Sequence, residues 1–143
     1  MAAAVRIKAA VVAADEREDP TNRRGRATLN YGHTLGHALE TAGRYDLRHG
    51  EAVAVGLVAA AELAHGLGRI DAARVQAHRE VVGSYGLPMT LPASADPHEL
   101  VALMRRDKKA LAGLTFVLDG PDGVEVVPEV PEADVLAVLE ALR

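Results

Sequence analysis

Three histidines lie close together in RATLNYGHTLGHALETAGRYDLRHGE, residues 26–51: His33 and His37, four apart, and His49 after a short turn. Neutral imidazoles four apart on a helix can converge on one metal ion, or on one ion plus a substrate. Read as a single helix over about 27–42, the same stretch puts Arg26, Asn30, His33 and His37 at i, i+4, i+7 and i+11. Four polar heads then share one stripe, opposite Leu29, Leu35 and Leu39. A solvent face more usually carries interchangeable Lys and Glu. Here a guanidinium suited to a carboxylate or phosphate, an amide suited to a hydroxyl, and two imidazoles describe a site for an anionic, polyhydroxylated ligand. Gly32 and Gly36 lie beside the stripe, each costing about 1 kcal/mol relative to alanine in a helix interior, so something must approach the backbone closely there. The interval from His33 to His49 is not a zinc-finger spacing, so a metal needs a third ligand, and Glu51 is the first candidate within the chain.

The elements that must position these groups are mostly helical. A first helix is expected over about 2–18, with Val5, Ala9, Val12 and Ala13 at helical spacing, and Pro20, Asn22 and Gly25 in the loop that ends it. Lys8, on that helix, reads by itself as an exposed lysine. A helix from His49 to about Gly66 is apolar nearly all round, which predicts burial in the middle of a bundle. Another runs from Asp71, a plausible cap, to about Tyr85 and stops at Gly86. Asp96 and Pro97 open a further helix whose basic end, Arg105 to Lys109, suits the negative pole of a helix dipole. LTFVLDGPDGVEVV is a β-hairpin signal, and the amphipathic tail from Pro131 closes the bundle. The expected fold class is mainly α: a helical bundle with one small C-terminal β-hairpin, residues 1–143 forming one domain. His65, His78 and His98 lack comparable neighbours and read as surface or packing residues.

The 143 residues carry no cysteine, which removes disulfides, thiol nucleophiles and thiolate metal sites and leaves histidine and carboxylate as ligands. A net charge of -4 with no basic stripe argues against a nucleic-acid partner. The longest apolar run, Ala52 to Ala61, is too short to span a bilayer, and no secretory signal opens the chain, so a cytoplasmic protein with no membrane partner is expected. No dinucleotide-binding glycine motif occurs.

RATLNYGHTLGHALE followed by RHGEAVAVG closely resembles the C-terminal domain of the 3-dehydroquinate synthases, within the sugar-phosphate cyclases, and KAAVVAADERE before it and MRRDKK after it fit in the same order. The resemblance implies a phosphate-eliminating lyase of the shikimate pathway and aromatic amino acid biosynthesis, dependent on NAD and on zinc or cobalt. It implies His33 and His49 as metal ligands, His37 and Lys8 as catalytic residues, and Arg26, Asn30, Lys108 and Lys109 as substrate contacts, with either lysine of the DKK run free to be the one that faces the site. The family's NAD-binding domain and acidic third metal ligand are expected upstream of this chain, so the chain alone should be inactive. Expected partners are a sugar-phosphate substrate and that N-terminal domain, with a homodimer left open. The alternatives are a cyclase of the 2-epi-5-epi-valiolone or 2-deoxy-scyllo-inosose synthase type, against which the intact DKK argues, or a non-catalytic helical module pairing with a separate nucleotide domain.

Overall fold

The computed structural model of the chain describes residues 26–43, 45–107 and 113–143. The helix expected over 2–18 lies outside them. A 3-10 turn, Arg26–Asn30, leads into α1 (His33–Ala42), α2 (His49–Gly66), α3 (Ala72–Ser84) and α4 (Pro97–Asp107). The hairpin β1 (Leu114–Leu118) and β2 (Glu125–Val130) follows, then α5 (Glu132–Ala141). The expected mainly α bundle with a small C-terminal hairpin is the observed fold.

The apolar helix is the hub. α2 packs against α1, α3, α5 and β1, and Ala52, Val55, Val58, Ala61 and Leu63 are buried on different sides of it. Its small residues permit this, because alanine and glycine let neighbouring backbones approach where larger side chains would hold them apart. The other elements start and stop for local reasons. The Asp71 carboxylate accepts from the Arg74 N–H at 2.9 Å, capping α3, and Gly86 follows that helix at φ +68. Pro97 is the first residue of α4, and Asp96 accepts from the His98 N–H at 3.0 Å.

The two strands pair antiparallel, Phe116 opposite Val127 and Leu118 opposite Glu125, with an irregularity between Leu114 and Phe116. Leu114, Phe116 and Leu118 are buried in the common core. α5 closes the structure through Val135, Leu139 and Leu142, and the Leu91 N–H donates to the Leu142 carbonyl at 2.8 Å. Arg105, near the end of α4, grips Glu132 with two nitrogens at 2.7 and 2.6 Å. That hydrogen-bonded fork, assisted by its charge, holds the Glu132 carboxyl below its usual pKa and fixes the direction in which the chain leaves α4.

One expected element differs. The helix foreseen over 27–42 is two pieces, the 3-10 turn and α1, separated at Tyr31 and Gly32, where Gly32 adopts φ +81. The left-handed backbone lets the chain turn onto α2, and the fit admits no side chain. A Cβ on Gly56 would lie 1.9 Å from the Gly32 carbonyl oxygen, and one on Gly36 would lie 3.2 Å from the Val53 Cα. The close approach foreseen at Gly32 and Gly36 is therefore made by α2 itself.

Candidate metal and substrate site

The break at Gly32 also corrects the expected stripe. His33 and His37 share α1, but Arg26 and Asn30 belong to the preceding turn and are not aligned with them by α-helical periodicity. Asn30 is exposed, as is His37. His33 and His49 are each the first residue of a helix, α1 and α2 respectively. The two helices run in opposite directions, Gly32 lying against Gly56 while Glu40 meets His49. That crossing sets the imidazoles of His33 and His49 side by side, ring centroids 5.5 Å apart and planes inclined at 56°. Two imidazoles sharing a tetrahedral metal, with nitrogen about 2.1 Å from it, would have centroids roughly 5 Å apart.

Each ring is oriented by an acceptor at Nδ1. His33 Nδ1 lies 3.2 Å from the Tyr31 carbonyl, and His49 Nδ1 lies 2.8 Å from Glu40 Oε1. A carbonyl and a carboxylate can only accept, so in both rings the Nδ1–H donates and the neutral imidazole keeps its lone pair on Nε2. Second-sphere acceptors of this kind accompany most metal-ligating histidines. The donor set therefore fits a divalent ion held by two Nε2 atoms. Among the described residues no group of three or more potential ligands converges. Glu51, the candidate third ligand, is engaged elsewhere: its Oε1 accepts from the Arg48 N–H at 2.9 Å, closing the N-terminus of α2.

The Tyr31 carbonyl that orients His33 is itself held from below. The Tyr31 hydroxyl donates to His78 Nε2 at 2.6 Å, since His78 Nδ1–H is committed to the Arg74 carbonyl at 2.8 Å. Arg74 reaches Asp119 at 2.6 Å, and Asp119, 2% exposed, also accepts from the Gly120 N–H. His78 is thus a packing residue, as its sequence context suggested, and one that anchors the site. Burial, with the charge of Asp119 adding to it, pushes the Tyr31 phenol well above its ordinary value. Folding therefore favours the protonated phenol, and this contribution to stability is complete below about pH 10 and lost as pH rises beyond it. In urea unfolding followed from pH 8 to 11, wild-type stability should fall at the alkaline end more steeply than that of Tyr31→Phe. The variant should also lose about 1 kcal/mol at neutral pH.

Lys8, Lys108 and Lys109 lie outside the described residues, and the side chain of Arg26 does as well. Glu40 was not singled out by the sequence. It stands three residues beyond His37 and seven beyond His33 on α1, the spacing that would have found it.

The model for the 3-dehydroquinate synthase C-terminal family matches residues 1–110. A protein of Amycolatopsis mediterranei named for aminodehydroquinate synthase activity is 54% identical over 142 residues, 99% of this chain and 39% of that protein. The 3-dehydroquinate synthase of Mycobacterium leprae is 53% identical over 119 residues, 82% of this chain and 32% of the enzyme. Among solved structures, 2-deoxy-scyllo-inosose synthase complexed with carbaglucose-6-phosphate, NAD+ and Co2+ matches with a TM-score of 0.71 at 25% identity, over 82% of this chain and 35% of that one. The fold is also that of the 2-epi-5-epi-valiolone synthase ValA from Streptomyces hygroscopicus, with NAD+ and Zn2+ bound, at a TM-score of 0.77 and 22% identity over 97% of this chain and 38% of that one. The chain thus spans less than two fifths of the length of each of these relatives. It belongs to the 3-dehydroquinate synthase C-terminal family, within the sugar-phosphate cyclases.

Proposed function

We propose that this chain is the metal- and substrate-binding part of a 3-dehydroquinate synthase, the lyase that converts 3-deoxy-D-arabino-heptulosonate 7-phosphate to 3-dehydroquinate and phosphate. The observation that carries the reading is the pair His33 and His49, set 5.5 Å apart with both Nε2 lone pairs available. They would hold zinc or cobalt, which when bound polarises a carbonyl or hydroxyl of the substrate. His37, one turn along α1, moves a proton or contacts the phosphate, as an imidazole near neutral pH can. Lys8 serves beside His37 as a catalytic residue, and Arg26 and Asn30 bind the anionic and hydroxyl groups, joined by Lys108 or Lys109.

The chain has no phosphate-cradling glycine motif, which supports NAD being bound mainly by another part of the enzyme. The redox half of the reaction is therefore assigned to an N-terminal NAD-binding part of the enzyme. The identity of 53% to a 3-dehydroquinate synthase, against 25% to 2-deoxy-scyllo-inosose synthase, supports the first of the cyclase assignments. A second reading, an aminodehydroquinate synthase, is favoured by the 54% match that runs through 99% of the chain.

Phosphate release would be followed with the chain alone, supplied with NAD and zinc, and with a nucleotide-binding part joined ahead of it. The expected result is none from the chain alone, and release from the joined enzyme that His37→Ala lowers by at least about 100-fold. Preference for an amino-substituted precursor would move the assignment to the second reading. Turnover by the chain alone would contradict the division of labour.

A further inference from the structure

We infer that Glu40 is a positioning residue that fixes the tautomer and orientation of His49. The inference rests on the proposed metal role of His49 for its consequence, but on the structure's own geometry for its cause. Glu40 lies in the last turn of α1, and His49 opens α2 nine residues later. The link between them doubles back through Gly43 at φ +66 and Asp46 at φ +53, which brings the carboxylate onto the imidazole edge. Oε1 sits 2.8 Å from Nδ1.

A ring whose side chain is 64% exposed has little packing to hold it, so this hydrogen bond is its principal restraint. His33 differs: it is half-buried, and its Nδ1–H is held by the backbone carbonyl of Tyr31, which no side-chain substitution removes. Of the two proposed ligands, His49 is the one that, among the described residues, depends on another side chain for its orientation. Glu40 lies against the ring edge opposite Nε2, so it acts through His49 and not as a ligand on the same ion. By holding the proton on Nδ1, it keeps Nε2 open. Without it, an exposed imidazole rotates freely and its neutral form shifts toward Nε2–H, the tautomer free histidine prefers in water, which blocks that lone pair.

The test is long-range proton–nitrogen NMR on the 143-residue chain, which distinguishes the Nδ1–H, Nε2–H and doubly protonated rings directly, beside Co2+ titration of the same samples. Wild type should show His49 mainly as Nδ1–H, and Glu40→Ala should show mainly Nε2–H with unchanged circular dichroism. Cobalt affinity should fall by about 10- to 100-fold in Glu40→Ala. Glu40→Gln, whose amide oxygen still accepts the hydrogen bond from Nδ1–H, should recover most of both signals. The tautomer signal needs no metal, so failure of cobalt to bind wild type would count against the metal site alone. An unchanged His49 tautomer in Glu40→Ala would overturn the positioning role. Equal loss of cobalt in Glu40→Gln and Glu40→Ala, with the tautomer intact, would overturn it too and make Glu40 a ligand.

Discussion

Gly56→Ala is expected to destabilise the chain by about 3 kcal/mol or more and to abolish the proposed metal site with it. The added methyl would lie 1.9 Å from the Gly32 carbonyl oxygen and 3.2 Å from the Gly36 nitrogen, both backbone atoms that no rotamer change can move. The only relief is to separate α1 from α2. That movement empties contacts around Ala52, Val55 and Leu35 in the core and draws His33 away from His49. Urea unfolding reads the first effect and a zinc titration of the still-folded fraction reads the second. Gly50→Ala is the control, since a Cβ there meets nothing within 4 Å among the described residues and should leave stability within about 0.5 kcal/mol. If Gly56→Ala were as stable as wild type, the close crossing of the two helices would be wrong.

The contrast between Gly56 and Gly50 also marks how far the sequence could be read. Burial of α2 followed from its composition, because an element apolar on every side has no stable position at a surface. The cap at Asp71, the start at Pro97 and the hairpin after Leu114 were legible for a similar reason: each is decided by residues adjacent in the chain. The break at Gly32 is decided elsewhere. Helical spacing through residues 27–42 is unbroken, and only the carbonyl-to-Gly56 contact, twenty-four residues away, shows why the backbone must turn. Without that contact, spacing alone puts Arg26 and Asn30 on a continuous helix.

The site divides along the same line. His33 and His49 were legible as a pair from the HTLGHALE and RHGE runs, but the groups that orient them were not. Glu40 meets His49 only because Gly43 and Asp46 take left-handed conformations. Tyr31 holds His33 through its carbonyl, an atom every residue has, while its hydroxyl is braced by His78 on another helix. Glu51 illustrates the converse. Its type suited a metal ligand, yet its position three residues after Arg48 commits it to the helix end.

The second large effect concerns the proposed ligands themselves. Loss of a second-sphere partner weakens a metal site by about 10- to 100-fold, so removal of a direct ligand should cost more than about 100-fold. His33→Ala and His49→Ala should each reach that loss without unfolding the chain, because neither ring lies in the buried core. With only the two proposed ligands and no group of three or more among the described residues, wild-type affinity should be well below that of a four-ligand structural zinc site. His65→Ala, at an exposed position near the far end of α2, should bind as wild type does. The most direct measurement is therefore a calorimetric zinc titration of the chain beside these three variants. The expected result is one weak, saturable site, lost in His33→Ala and in His49→Ala and kept in His65→Ala. Binding that survives undiminished in either of the first two variants, or no binding by wild type at millimolar zinc, would contradict the assignment of these histidines as a metal-holding pair.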